Sequence, residues 1–387
     1  MDSTLKRTWA EIDLDALEHN YRVLRAQAGP QARFLGVVKA DAYGHGAIQV
    51  ARTLEKLGAE YLAVSNIDEA RELRLGGVAL PILQLGLTPT DEVPEILQNC
   101  VTQTIYSESA AQAFSRAAQA LGGSIKVHIK LDTGMSRLGF QCDDAHFAQS
   151  LAAIGRVCAL PGLEVEGIFT HFAAADEPET DSQDYTRAQY DRFQRMVTAL
   201  SAEHNITFPI CHCANSGATL FYPEYACGMV RPGLLTYGIG GGSLDLRPVM
   251  ALKSAVGAVQ TYAPGTAVSY GRTFHTQRPT RLGVLPIGYA DGLPRALSNR
   301  WRVYTPLGMA PIVGRICMDM CMIDLTDLPQ VGEGTEVEVY GPHNDVDQAA
   351  GEAGTIPYEL TCAVSKRVPR VYLRHGKEIS RELLLRG

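Results

Sequence analysis

The feature that most restricts the fold is an alternation. Short apolar runs of strand type recur at 33–39, 61–66, 81–86, 101–106, 125–131, 164–170, 208–213 and 227–231. Amphipathic stretches lie between them, at 47–57, 68–75, 108–121 and 182–203. The first of these puts Ala47, Val50, Ala51, Leu54 and Leu57 on one helical face. Strands separated by helices pair in parallel rather than as hairpins. Eight such units in about 240 residues predict an α/β fold of the (β/α)8 TIM-barrel type. The competing fold is an open doubly wound sheet, but no Gly-x-Gly-x-x-Gly follows an early strand. Ahead of the first unit, Trp9-Ala10-Glu11-Ile12-Asp13 alternates like a short strand. Leu14, Leu17, Tyr21 and Leu24 then repeat at helical spacing until Gly29-Pro30.

The rhythm breaks at the glycine-rich hinge Gly238-Ile239-Gly240-Gly241-Gly242-Ser243. Beyond it, strand-like runs at 249–261, 281–288, 301–305, 310–325 and 335–340 sit between Gly and Pro turns, and helix signal is sparse. The expected organisation is a barrel domain over 1–240 and a mostly-β domain over 241–387. The 387 residues suffice for both.

Charge and cysteine usage narrow the partners. The net charge is −7 and no basic block stands out, which argues against nucleic acid and anionic membranes. No apolar run has the length of a membrane span. The start, Met1 to Trp9, lacks the apolar core of a signal peptide, so a cytoplasmic protein is expected. Nine cysteines without a repeating spacing read as reduced thiols. Cys211-His212-Cys213 and Cys317-Met318-Asp319-Met320-Cys321 lack the paired spacing of structural zinc sites, and no metal is expected.

In a barrel the chemistry gathers at the C-terminal ends of the strands. Those ends carry Lys39 and Tyr43 after the first strand, and Asp132-Thr133-Gly134-Met135-Ser136-Arg137-Leu138-Gly139 after the fifth. Thr170 and His171 follow the sixth, Asn215, Ser216 and Gly217 the seventh, and Arg231, Pro232 and Gly233 the eighth. A lysine closing a buried strand is costly unless paired or neutralised. Condensation with an aldehyde neutralises it, and pyridoxal phosphate is the common biological aldehyde. The ordinary alternative is a lysine that snorkels to the surface. The company of two arginines, a histidine and a hydroxyl favours an anionic ligand with an aldehyde handle.

Several segments, in order, resemble the alanine racemase family, pyridoxal-phosphate enzymes with a barrel and a β-domain. They are Val38-Lys39-Ala40-Asp41-Ala42-Tyr43-Gly44-His45-Gly46, the Asp132–Gly139 run, Thr170-His171-Phe172, Ala214-Asn215-Ser216 and Val230-Arg231-Pro232-Gly233. In the second half come Val268-Ser269-Tyr270-Gly271, Gly288-Tyr289-Ala290-Asp291-Gly292, Gly314-Arg315-Ile316-Cys317-Met318-Asp319 and Pro357-Tyr358-Glu359. Ser136 departs from the family, which often has glycine there.

The resemblance implies the following roles. Lys39 is the Schiff-base lysine and one of two acid/bases for proton transfer, and Tyr270 is the other. His171 contacts that tyrosine. Arg231 meets the pyridine nitrogen of the cofactor; a guanidinium has only donors, so it keeps that nitrogen an acceptor. His212, on the strand that leads to the Ser216 loop, either holds Arg231 or is a buried structural histidine. Tyr43, Ser216, Gly233, Leu234 and Tyr358 hold the phosphate. Arg137 takes the substrate carboxylate, and Lys130 is a carbamylation site that orients it. Tyr289 lines the entrance, and Met318 offers its backbone to the substrate. The last two and Tyr270 come from the partner in a homodimer with shared active sites. The implied activity interconverts L- and D-alanine and supplies D-alanine for peptidoglycan. The rival readings are a racemase of another small amino acid such as serine, a barrel-type decarboxylase, and a non-catalytic pyridoxal-phosphate-binding protein. The last class lacks a second domain with a Tyr270.

Overall fold

A computed structural model describes residues 7–383 and 385. The start of the chain, read above for a leader, lies outside them up to residue 6. The first strand, β1 (Thr8–Asp13), runs into a helix at Leu14–Ala28. Asp13 stops the strand and caps the helix, because its carboxylate accepts from the N–H groups of Asp15 and Ala16.

The barrel strands are β2 (Arg33–Val37), β3 (Tyr61–Val64), β4 (Ile82–Gln84), β5 (Val101–Ile105) and β6 (Ile125–Asp132), with a short β7 (Phe140–Gln141) beside β6. They continue as β8 (Leu163–Phe169), β9 (Ile210–His212) and β10 (Met229–Val230). Their order is β10-β2-β3-β4-β5-β6-β8-β9, and every neighbouring pair is parallel. Closure comes from two backbone bonds between the ends of that path. Gly228 N–H donates to Cys211 C=O at 2.8 Å and Arg231 N–H to Ala214 C=O at 2.9 Å. All eight expected strands are present, and the (β/α)8 expectation holds.

One ladder is irregular. The register of β6 on β8 shifts between Val127 and His128, so Glu166 bulges out and Gly167 faces His128. A Cβ at Gly167 would lie 2.6 Å from the His128 ring. Gly167→Ala is therefore expected to destabilise the fold by about 1–3 kcal/mol, as overpacked cores do. Urea denaturation checks this; an unmoved midpoint would show that the ring has room to shift.

The second unit adds β11 (Met250–Ala255), β12 (Ala258–Tyr262), β13 (Ala267–Val268), β14 (Phe274–His275), β15 (Thr280–Leu285), β16 (Arg302–Thr305) and β17 (Gly308–Pro311). It ends with β18 (Cys321–Asp324), β19 (Glu336–Tyr340), β20 (Arg370–Arg374) and β21 (Lys377–Glu382). Its main sheet runs β17-β16-β19-β11-β1-β20-β21. Here β1 departs from the expected division at residue 240. The domain 1–240 placed β1 with the barrel, yet β1 is a central strand of the other sheet, antiparallel to β11 and parallel to β20. Apolar alternation identifies a strand but says nothing of which sheet it joins. The second unit also carries helices at Val346–Ala353 and Pro357–Cys362. The latter brings Tyr358 to the barrel.

Candidate active site

The first barrel strand, β2, ends at Val37, and Lys39 opens one turn of left-handed backbone. Ala40, Asp41, Ala42 and Tyr43 have φ of 52°, 55°, 52° and 52°. Each such residue costs about 1–2 kcal/mol, so neighbours must fix the turn. Asp41 accepts the N–H of Ala47 at 2.8 Å, and Glu69 accepts that of Ala40 at 2.8 Å. Arg370, buried beneath, donates to Gly44 C=O at 3.0 Å. The turn sets Lys39 half-buried at the mouth and folds the Tyr43 ring inward. That ring packs edge-on to Tyr358 at 5.4 Å and tilted to Tyr237 at 5.2 Å.

Below Lys39 the barrel interior is cationic. Arg231 is buried and donates to His212 Nδ1 at 2.8 Å, Thr170 C=O at 2.8 Å, Cys213 C=O at 3.2 Å and His171 Nδ1 at 3.4 Å. These acceptors fix the plane of the guanidinium. Burial lowers its proton affinity to about 10, still well above neutrality. Lys130, buried over the Phe169 ring, is pushed down to about 8 by burial and by Arg137 and Arg231. Burial and then Arg137 lower Lys39 as well. His171, half-buried at the rim, is held well below the usual histidine range by burial and by Arg231, Arg137, Lys130 and Lys39. It is neutral, as an acceptor from Arg231 must be. Arg137 itself is exposed, on the loop that Asp132 ties by accepting the Gly134 and Ser136 N–H groups, each at 3.0 Å. Ser136 sits at φ 54°, which is the reason glycine suits this position.

On the other side of the mouth is a cradle. Ser216 begins the turn after β9, and its buried hydroxyl has no hydrogen-bond partner. The Tyr358 phenol lies close enough to feel it but forms no well-aligned bond. A Cβ at Gly233 would come within 2.9 Å of the Tyr43 hydroxyl and 3.6 Å of Ser216 Oγ. Leu234 follows at the start of a 3-10 turn. An unpaired buried hydroxyl, two phenols and a gap kept open by glycine fit a bound phosphate. The three cations near Lys39, Arg137, Lys130 and Arg231, fit its charge. The donor set therefore matches pyridoxal phosphate.

Among the described residues, no hydrogen bond, ion pair or ring contact joins Tyr270, Tyr289 or Met318 to this mouth. Tyr270 stands 71% exposed on a turn after β13, beside a cleft lined by Tyr262, Val268, Cys317 and Met322. Tyr289 and Met318 are also exposed and lie together, since Tyr289 N–H donates to Cys317 C=O at 3.1 Å and Ala290 N–H to Met318 C=O at 3.0 Å. Buried Asp291 fixes this corner by accepting from Gly288 N–H at 3.0 Å and pairing with Arg7 at 2.9 Å. Cys211-His212-Cys213 does not converge on a metal. His212 points into the barrel, Cys213 Sγ donates to Tyr225 C=O at 3.0 Å, and no group of three ligating side chains occurs among the described residues.

Two interior residues escaped the sequence reading. His128 Nδ1 meets His212 Nε2 at 2.8 Å, and Glu166 lies beyond it. The signal for His128 was present, since Lys130 two residues on shares its strand face. Glu166 was hidden by the bulge.

The comparisons with known proteins agree with this geometry. Residues 12–240 match the model of the alanine racemase N-terminal domain, and residues 249–372 that of the C-terminal domain. The chain is 44% identical over 371 residues to an alanine racemase of Desulfovibrio desulfuricans, covering 94% of this chain and 98% of that one. The alanine racemase of Clostridium difficile 630 superposes with a TM-score of 0.93 at 37% identity, over 99% of this chain and 100% of that one. A Bacillus anthracis alanine racemase solved with bound L-Ala-P superposes at 0.88 and 33% identity, over 98% of each chain. No helix among the described residues is long and apolar enough to cross a membrane. The chain belongs to the alanine racemase family.

Proposed function

We propose that the protein is a pyridoxal-phosphate-dependent alanine racemase that supplies D-alanine for peptidoglycan from the cytoplasm. The observation that carries this is the conjunction at one barrel mouth of Lys39, Arg231 and the Tyr43–Ser216–Gly233 cradle with its unpaired hydroxyl. When bound, pyridoxal phosphate supplies an aldehyde for an amine and an electron sink that acidifies the hydrogen on the adjacent carbon.

The residues divide the remaining work. Tyr43, Ser216, Gly233, Leu234 and Tyr358 hold the phosphate. Arg231 donates to the ring nitrogen and keeps it an acceptor, and His212 braces the guanidinium. Lys39 Nζ, its proton affinity lowered by burial and Arg137, exchanges a proton with the α-carbon from one side. The Tyr270 hydroxyl of a second copy does so from the other, with neutral His171 as its neighbour. Arg137 pairs with the substrate carboxylate through its planar donor fork. Tyr289 and the Met318 backbone border the entrance from the second copy. The exposed, apolar-lined Tyr270 corner supports this sharing in a homodimer. Within each chain we divide the barrel from the β-domain near residue 240, with β1 crossing to the second. Nine free thiols suit a reducing compartment.

The test is direct. The purified chain with pyridoxal phosphate should be yellow and convert L-alanine to D-alanine, faster than it racemises serine. A yellow but inert protein would favour simple cofactor binding.

Lys130 balances the cationic side as a carbamate. Only the neutral amine attacks carbon dioxide, and with burial, Arg137 and Arg231 holding the pKa of Lys130 at about 8, that form grows as pH rises through this value. The anion produced is drawn to Arg137 and Arg231. Native mass spectra in bicarbonate should show one added carbon dioxide on the peptide carrying Lys130, increasing from pH 7 to 9. An unmodified amine throughout would reject the modification.

A further inference from the structure

Arg231 is the near end of a longer buried line. Its Nη1 donates to His212 Nδ1 at 2.8 Å, His212 Nε2 faces His128 Nδ1 at 2.8 Å, and His128 Nε2 faces Glu166 Oε1 at 3.5 Å. Both rings are fully buried. Phe169 stacks on His212 at 4.7 Å and 6°, which fixes that ring's plane, and Gly167 leaves the space that His128 fills. Glu166 is itself anchored. Tyr61 donates to it at 2.6 Å, Thr102 at 3.2 Å, and Lys126 pairs with it at 3.0 Å.

Donor and acceptor rules leave this line one pattern. A guanidinium only donates, so His212 Nδ1 must accept. The neutral ring then carries its proton on Nε2 and donates to His128 Nδ1. His128 in turn carries its proton on Nε2, and that N–H has no good partner except the Glu166 carboxylate ahead of it. Charging either ring is opposed by burial, and for His212 next by Arg231. Glu166 keeps its charge: burial alone would raise its pKa, yet His128, Tyr61 and Lys126 hold it at about 2.

We propose that Glu166 and His128 are positioning residues, which fix the His212 tautomer from the far end of the barrel and thereby aim Arg231 at the cofactor ring. The proposal rests on the cofactor reading above for its purpose, though not for its geometry. With the wrong tautomer, an N–H of His212 would face an N–H of Arg231, and the guanidinium would turn away.

Solid-state ¹⁵N spectra of the histidine-labelled holoenzyme read each tautomer. The wild type should show Nε2–H on both rings. Glu166→Gln removes the anion, so His212 should become a mixture of tautomers, and the dissociation constant for pyridoxal phosphate should rise about tenfold. Lys126→Met strips a cation from the outer side of Glu166 but spares the acceptor, so both tautomers should stay. If Glu166→Gln does not fold, His128→Phe serves, because His212 then loses its acceptor and should again mix. An Nδ1–H on His212 in the wild type, or a His212 tautomer unmoved by Glu166→Gln or, in its place, by His128→Phe, overturns the proposal. A chain that binds no pyridoxal phosphate, yet whose His212 tautomer follows Glu166, keeps the line and rejects the cofactor reading instead.

Discussion

Lys39→Ala is expected to lower racemisation in both directions by about 10⁴-fold or more, because in the proposed mechanism it removes the covalent anchor and one acid/base together. The side chain suits both tasks. It stands half-buried at the mouth on a turn whose backbone leaves it little freedom, and burial with Arg137 beside it weakens its hold on a proton. Tyr270→Phe keeps the ring and deletes only the hydroxyl, so it isolates the proposed second acid/base. The two losses differ in handedness. If each group serves one side of the substrate, α-hydrogen exchange with deuterated solvent falls mainly for one alanine enantiomer in Lys39→Ala and mainly for the other in Tyr270→Phe. Equal losses for both enantiomers in both variants would mean that a single group carries the proton across.

The parts of this site that were legible in the sequence share a cause. Strand periodicity located eight strand ends, and barrel topology brings those ends to one mouth, so Lys39, Arg137, His171, Ser216 and Arg231 were selected by position. Contacts set by irregular backbone were not legible. Four alanine, aspartate and tyrosine residues in left-handed conformation break the preference of every one of them, and only tertiary bonds such as Arg370 to Gly44 C=O hold them there. The β8 bulge shifts Glu166 off the pleat alternation that would have paired it with His128. β1 reads as a strand in any context, but its partners lie in sequence more than half the chain away, at β11 and β20. Tyr358 was found through the resemblance alone, for nothing in a short helical turn after Pro357 reports that it packs on Tyr43.

Co-expressing Lys39→Ala with Tyr270→Phe is expected to restore activity that neither variant has. Among the described residues of one chain no hydrogen bond, ion pair or ring contact joins Tyr270 to the lysine; it stands 71% exposed, as Tyr289 and Met318 are also exposed. A large aromatic corner of this kind is what a partner covers. In a two-fold dimer each site joins the barrel of one chain to the β-domain of the other. A mixed dimer then has one site carrying both substitutions and one carrying neither. Random assortment makes half the dimers mixed and leaves half their sites intact, so the pool should reach about a quarter of wild-type activity. Mixed dimers isolated through two different tags should reach about half, with KM unchanged because the intact site is native throughout. If those tagged dimers stay as inactive as their parents, Lys39 and Tyr270 act from the same chain, and the sites are not shared.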